Sequence, residues 1–100
     1  MDFLWRFEDE DIDWIELSNL YKIAPLGDIS PDDLELSFTN SMYKCFVFKG
    51  NQLVGVGRAL ADGNDCSYIC GIAVHPEYQG VGLGKRIVSQ LVDFSSKHKK

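Results

Sequence analysis

Three glycines at alternate positions, Gly80, Gly82 and Gly84, follow an apolar stretch and open an amphipathic one. Glycine has no Cβ, so the backbone here can adopt conformations that other residues disfavour and can approach a ligand closely. The first N–H groups of a helix have no intrahelical acceptor and lie at the positive end of the helix dipole. A strand that leads through glycines into a helix therefore predicts a phosphate or pyrophosphate site.

Two familiar glycine-rich motifs do not match this spacing. The phosphate loop G-x-x-x-x-G-K-[ST] has four residues between its glycines and a hydroxyl residue after its lysine, whereas three residues separate Gly80 from Gly84 and an arginine follows Lys85. The dinucleotide motif G-x-G-x-x-G needs a third glycine one position beyond Gly84 and a βαβ unit around it. The motif [RQ]-x-x-G-x-[GA] does match, through Gln79, Gly82 and Gly84.

With this motif and the Val-x-Pro step at Val74–Pro76, the segment from Tyr68 to Val92 resembles the GNAT superfamily of acetyl-CoA-dependent N-acetyltransferases. The resemblance implies that the loop amides bind the pyrophosphate of coenzyme A and that the fourth strand orients the acetyl and pantetheine groups. The implied cofactor-binding residues are Ile72, Ala73, Val74, Gln79, Gly80, Val81, Gly82, Leu83, Gly84 and Lys85. The alternative is that the glycines only form a tight strand-to-helix turn.

Acetyl transfer to an amine needs a group that takes the ammonium proton and donors for the developing oxyanion. Some GNAT members carry a glutamate base on the fourth strand, and counting back from the loop places Tyr68 there. Since the usual pKa of tyrosine is about 10, Tyr68 is a catalytic candidate only through its hydroxyl or a bound water. The alternative is that Tyr68 packs or hydrogen-bonds. For His75, which precedes Pro76, we expect a structural or solvent-facing role.

The 100 residues are 45% hydrophobic and 12% aromatic, which is typical of a single domain over residues 1–100. No apolar run approaches the about 18 residues of a membrane span, and acidic residues follow Met1 where a signal peptide would be basic. We therefore expect a cytoplasmic protein with no membrane partner. Cys45, Cys66 and Cys70 lack the C-x-x-C spacing of a metal site, so we predict no metal and free thiols.

The charge of this chain is unevenly distributed. Residues 1–40 contain eleven acids and two bases, or -9, whereas residues 41–100 contain four acids and eight bases, or +4. In the GNAT family the N-terminal part borders the acceptor, so an acidic N-terminal half suits a cationic amine acceptor opposite a polyanionic cofactor. The alternative is a solvated acidic helix face. Nucleic acid is disfavoured as a partner because its binding needs an extended basic face.

Hydrophobic periodicity and cap residues predict an α+β fold with a mixed, mostly antiparallel sheet. Ser30 followed by Pro31 is a helix start, Asp13 and Glu16 are spaced as a capping box, and Gly50 begins a hairpin turn. The predicted elements are strand Phe3–Phe7, helix Asp11–Ala24, a short helix from Pro31 to about Asn40, strands Tyr43–Lys49, Leu53–Ala61 and Cys66–Val74, and helix Leu83–Lys97.

GNAT domains continue past the last predicted helix into a fifth strand, another helix and a closing hairpin. We therefore expect a GNAT-like fold truncated before the fifth strand, with Cys66–Val74 as an exposed edge that forms a homodimer or pairs with another chain. The resemblance implies transfer of acetyl from acetyl-CoA to a primary amine, either a small amine or a lysine side chain. The alternative is a catalytically silent acetyl-CoA-binding module that regulates a partner protein.

Overall fold

The computed structural model describes residues 2–62 and 67–96, which form an α+β fold. Its elements are β1 (Leu4–Arg6), α1 (Trp14–Ile23), α2 (Pro31–Thr39), β2 (Tyr43–Lys49), β3 (Gln52–Ala61), β4 (Ser67–Val74), a 3-10 turn at Pro76–Tyr78, and α3 (Leu83–Ser96). The strands form one antiparallel sheet in the order β1-β2-β3-β4. The predicted fold class and element order are confirmed. Cys66 and Lys97, at which one predicted strand begins and the last predicted helix ends, lie outside the described residues.

The starts of the first two helices follow the predicted caps. The Asp13 carboxylate accepts hydrogen bonds from the backbone at the start of α1, including that of Glu16 at 3.2 Å. The Ser30 hydroxyl accepts from the Asp33 N–H at 3.1 Å. The predicted capping box is wrong in one respect, because the Glu16 carboxylate accepts from the Leu53 N–H of β3 at 2.9 Å. This residue therefore joins α1 to the sheet.

Two apolar cores lie on opposite faces of the sheet. The α1/α2 face contains Leu17 and Tyr21 of α1 together with Phe38 of α2, whose ring centroid is 5.3 Å from that of Phe46. The α3 face contains Leu83, Ile87, Leu91, Cys45, Val47, Val54 and Ala59. Val88 of α3 lies outside this core and is 38% exposed. Its side chain is turned about 100° around the helix from that of the buried Ile87.

Glycines in β3 bring α3 close to the sheet. A Cβ added at Gly57 would lie 2.6 Å from both Ile72 Cδ1 and Ile87 Cγ2. At Gly55 it would lie 3.0 Å from Ile87 Cδ1. The absence of a Cβ at these two positions therefore allows α3 to approach β3 closely.

β4 contains a bulge that the sequence did not predict. The register runs from Val56 opposite Ala73 to Arg58 opposite Cys70, so two β4 residues face the one intervening residue of β3. Gly71, one of the two, has a φ of +67°, which favours glycine. The bulge divides β4 into a half that leads to the glycine loop and a half that faces Leu60 and Ala61.

Candidate functional site

The connection from β4 to α3 is held by short-range hydrogen bonds. Just after β4 ends, the His75 Nδ1 accepts from the Glu77 N–H at 3.1 Å, which caps the 3-10 turn. The predicted structural role of His75 is therefore confirmed. The side-chain amide of Gln79 donates from Nε2 to the carbonyl oxygen of Val74 at 2.9 Å. This bond ties the start of the glycine loop to the end of the strand.

The glycine loop has the backbone conformation that the sequence predicted. Gly80 and Gly82 have φ values of +87° and +82°, which L side chains rarely adopt. A Cβ at either position would meet no atom of the described residues within 4 Å, so packing against those residues does not explain these glycines. Gly84 has ordinary φ, and its added Cβ would be 3.7 Å from Val74 Cγ2. The open space in front of the loop is therefore available to a ligand.

The N-terminus of α3 presents unpaired amides to this space. The Arg86 N–H donates to the Gly82 carbonyl at 3.1 Å, which makes Gly82 the residue that precedes the first helical turn. The N–H groups of Leu83, Gly84 and Lys85 consequently have no intrahelical acceptor, and no side chain in the described ranges caps them. They point along the positive end of the helix dipole, where an anion is stabilised.

A cavity of about 500 Å³ lies at this helix terminus. Its lining residues are Val74, Tyr78, Gln79, Gly80, Gly82, Leu83, Gly84 and Lys85. No carboxylate is among them, and the Lys85 ammonium adds a positive charge. Free amides, a cation and a shallow apolar wall are suited to a diphosphate joined to an apolar arm.

Three predicted cofactor residues do not line that cavity. The Ala73 side chain is buried on the α1/α2 face, and Ile72 packs half-buried against α3. Val81 is 52% exposed at the tip of the loop. Any contact of Ile72 or Ala73 with a ligand along the outer side of β4 would thus come from the backbone rather than the side chain.

Tyr68 lies at the far end of β4, on the same face of the sheet as Leu60, with which it is paired. Its side chain is 67% exposed. It borders a cavity of about 400 Å³ formed with Leu60, Ala61, Asp62 and Ser67. The structure thus places the catalytic candidate on the half of β4 beyond the bulge, away from the glycine loop.

Sequence reasoning missed a polar cluster at the β4 bulge. The Tyr21 hydroxyl donates a hydrogen bond to the carbonyl oxygen of Gly71. Burial raises the pKa of Tyr21, while the nearby Arg58 guanidinium lowers it to a smaller extent. Tyr21 therefore stays protonated and fixes the bulge from the α1 side. The only sequence signal was a glycine within an apolar strand, which suggests a bulge without locating its partners.

The described cysteines and acidic residues do not form a metal site. Cys45 and Cys70 are free thiols, as predicted, and burial raises the pKa of Cys45 to about 12. Within residues 2–62 and 67–96, no group of acidic, histidine and cysteine side chains is arranged to hold a metal ion. No helix in the same ranges is long and apolar enough to cross a membrane.

Comparison with known proteins agrees with this geometry. The model of the acetyltransferase (GNAT) family matches residues 10–100. The uncharacterized N-acetyltransferase ycf52 of Pyropia yezoensis is 40% identical over 42 residues, which are 42% of this chain and 24% of that protein. The matched part therefore spans about a quarter of that relative's length.

Two solved structures share the fold at low sequence identity. A protein of unknown function from methicillin-resistant Staphylococcus aureus superposes with a TM-score of 0.87 at 19% identity, over 99% of this chain and 73% of that one. The ribosomal-protein-S18-alanine N-acetyltransferase of Escherichia coli gives 0.77 at 16% identity, over 96% of this chain and 61% of that one. The β4–glycine loop–α3 unit therefore belongs to a fold that acetyltransferases use.

Proposed function

Because the chain belongs to the GNAT acetyltransferase family, we propose that it transfers the acetyl group of acetyl-CoA to a primary amine, either a small amine or a lysine side chain. The observation that carries this proposal is the anion site between β4 and α3. Its glycines have positive φ, leave open space in front of the backbone, and are followed by uncapped helical amides. These features fit the pyrophosphate of coenzyme A.

Residues around the loop have separable roles in this proposal. The N–H groups from Gly82 to Lys85 bind the phosphate oxygens, and the Lys85 ammonium balances their charge. The Gln79 amide acts indirectly, since its bond to the Val74 carbonyl holds the loop against the strand. Backbone groups on the outer side of β4 are available to the pantetheine amides. Residues 72–74 would thus act through their backbone.

Acetyl-CoA supplies an activated acyl group: the amine nitrogen displaces the thiolate at the thioester carbon, and the proton that the amine loses balances the one that the thiolate gains. The amine must be neutral when it attacks, although it is cationic in solution. We propose that the exposed Tyr68 hydroxyl holds a water that takes the ammonium proton before the attack and passes it to the solvent. We also propose a cytoplasmic location, where free thiols such as Cys45 persist.

The direct test is incubation of the chain with isotope-labelled acetyl-CoA and a panel of small amines and lysine peptides, followed by mass spectrometry of the acceptors. We expect labelled N-acetyl product with at least one amine, and a Gly82→Val variant should form little. Thermal unfolding with acetyl-CoA is measured in parallel, because a ligand that binds the folded state raises the melting temperature. Stabilisation without product would support the silent binding module. The absence of both product and stabilisation would refute the assignment.

A further inference from the structure

Arg58 is an arginine on the α1/α2 face that has no carboxylate partner among the residues that the structure describes. Its guanidinium lies over the Phe38 ring at 5.8 Å, and its NH1 donates to the Ser41 hydroxyl at 3.3 Å. Its side chain is half-buried. The ion pairs within the described ranges, Lys22–Asp28 and Lys44–Asp9, do not include it. Most of its N–H donors are therefore left for another partner.

Arg6, on the same face of the sheet, is an arginine whose guanidinium has a strong hydrogen-bond acceptor within the protein. Its guanidinium lies over the Phe48 ring at 5.7 Å, nearly the geometry of Arg58 over Phe38. It also donates to the Glu10 backbone carbonyl at 2.8 Å, a short hydrogen bond. Among the described residues, Arg58 donates a hydrogen bond only to the neutral Ser41 hydroxyl, at 3.3 Å. A partly desolvated guanidinium in that condition is suited to an incoming anion.

The position of Arg58 relates it to the β4 bulge. A Cβ added at Gly71 would lie 3.0 Å from Arg58 Nε and 3.2 Å from its Cγ, so the arginine side chain crosses directly over this glycine. The Tyr21 hydroxyl lies 3.1 Å from the same added Cβ and donates its hydrogen bond to the Gly71 carbonyl. That carbonyl therefore already has a donor other than the Arg58 guanidinium. Beyond Arg58 on this face, Leu60 and Tyr68 are exposed at 42% and 67%. Arg58 therefore lies at the boundary between the part of this sheet face that α1 and α2 bury and the part that is exposed.

We propose that Arg58 binds a carboxylate of the acceptor, so that the acceptor is a molecule with a primary amine and a carboxylate close together, of the α-amino acid class. This inference rests on the proposed function. A carboxylate held by Arg58 would place the neighbouring amine at the middle of β4, where the acetyl group is proposed to lie. A guanidinium binds a carboxylate through two parallel hydrogen bonds and thus orients as well as attracts it. This acceptor agrees with the cationic amine expected from the sequence, because an α-amino acid carries an ammonium group as well as a carboxylate in solution.

The first experiment compares matched acceptors. Phenylalanine, leucine and methionine are each assayed beside the corresponding decarboxylated amine, with labelled acetyl-CoA as donor and the fraction of neutral amine taken into account. We expect the KM of the carboxylate form to be roughly 10- to 100-fold lower, as hydrogen bonds to a charged group imply. Equal KM values, or preference for an amine that carries phosphate in place of carboxylate, would overturn the carboxylate assignment.

Variants then assign the effect to Arg58. Arg58→Gln should raise the KM of the carboxylate acceptor to that of the decarboxylated amine while leaving the KM of the latter unchanged, and Arg58→Lys should restore part of the difference. Arg6→Gln is the matched control, since it removes an arginine from the same face and from a similar aromatic contact. It should leave the preference intact. Loss of preference in both variants would contradict a specific role for Arg58.

A binding measurement separates failure of this inference from failure of the proposed function. Amide chemical shifts are followed as phenylalanine or phenethylamine is added to the wild-type chain and to Arg58→Gln, with circular dichroism to check that the variant is folded. We expect saturable shifts around Arg58 and Gly71 with phenylalanine only, and none in the variant. Such shifts without acetylated product would refute the transferase and keep the carboxylate site. Product without any Arg58-dependent binding or KM difference would refute the carboxylate site alone.

Discussion

Replacing Gly82 with valine separates the role of the loop in binding from its role in folding. Gly82 has a φ of +82°, and an L-residue in a left-handed conformation costs roughly 1–2 kcal/mol. No packing penalty is added, since the new Cβ meets no protein atom within 4 Å. We therefore expect the free energy of unfolding to fall by about 1–2 kcal/mol. The melting temperature should fall by about 4–8 °C for each kcal/mol.

The expected loss of cofactor affinity is larger. The valine side chain would project into the space in front of the helical amides, where the pyrophosphate is proposed to lie. Displacing two charge-assisted hydrogen bonds of about 1.5–3 kcal/mol each amounts to roughly 3 kcal/mol or more. The Kd for acetyl-CoA should therefore rise by a factor of about 100 or more.

Calorimetric titration of acetyl-CoA against both chains measures this difference, and urea unfolding measures the change in stability. Gly84→Ala is the matched control: its Cβ makes an ordinary 3.7 Å contact with Val74, and alanine favours the helix by up to about 1 kcal/mol. We expect it to bind acetyl-CoA normally. If Gly82→Val binds within about threefold of the parent, the loop is only a turn and the reasoning fails.

Three further predictions concern the sheet and its contacts. Burial raises the pKa of the Tyr21 hydroxyl. Its contribution to the free energy of unfolding is therefore complete below pH about 10 and is lost as the pH rises, because only the unfolded state then releases the proton. Tyr21→Phe should remove part of this loss of stability, which urea unfolding at alkaline pH measures. Gly57→Ala should reduce the free energy of unfolding by about 1–3 kcal/mol, since its Cβ would lie 2.6 Å from Ile87, and a change under about 0.5 kcal/mol would contradict the packing described. The outer edge of β4 before the bulge, which the proposed pantetheine contacts leave unpaired, should mediate self-association; sedimentation across a concentration series detects it, and a strictly monomeric chain would disprove it.

Local sequence signals predicted the elements that depend on neighbouring residues. Ser30 before Pro31 located the start of α2, Asp13 located that of α1, and the alternate glycines located the anion loop with its positive φ values. Each of these features is decided within a few positions of the chain. The interpretation could therefore be made without knowledge of the tertiary structure.

The missed features depend on residues far apart in the sequence. The Tyr21 hydroxyl meets Gly71 across 50 positions, and the Glu16 carboxylate meets the Leu53 N–H across 37. Arg58 lies in β3 between Gly57 and Ala59, and no local signal in the sequence marks it. Only the packing of α1 and α2 on the sheet brings Phe38 and Ser41 beside it. Spacing in the sequence carries no information about such contacts.

The central claim is that the amides at the start of α3 bind the pyrophosphate of acetyl-CoA. Titration of acetyl-CoA into the isotope-labelled chain, followed by amide chemical shifts, tests it residue by residue. We predict that the largest shifts fall on Gly80–Lys85 and that CoA without the acetyl group produces the same loop shifts. Saturable shifts centred elsewhere, such as the groove between Trp5 and Arg86, or no shifts at millimolar acetyl-CoA, would contradict it.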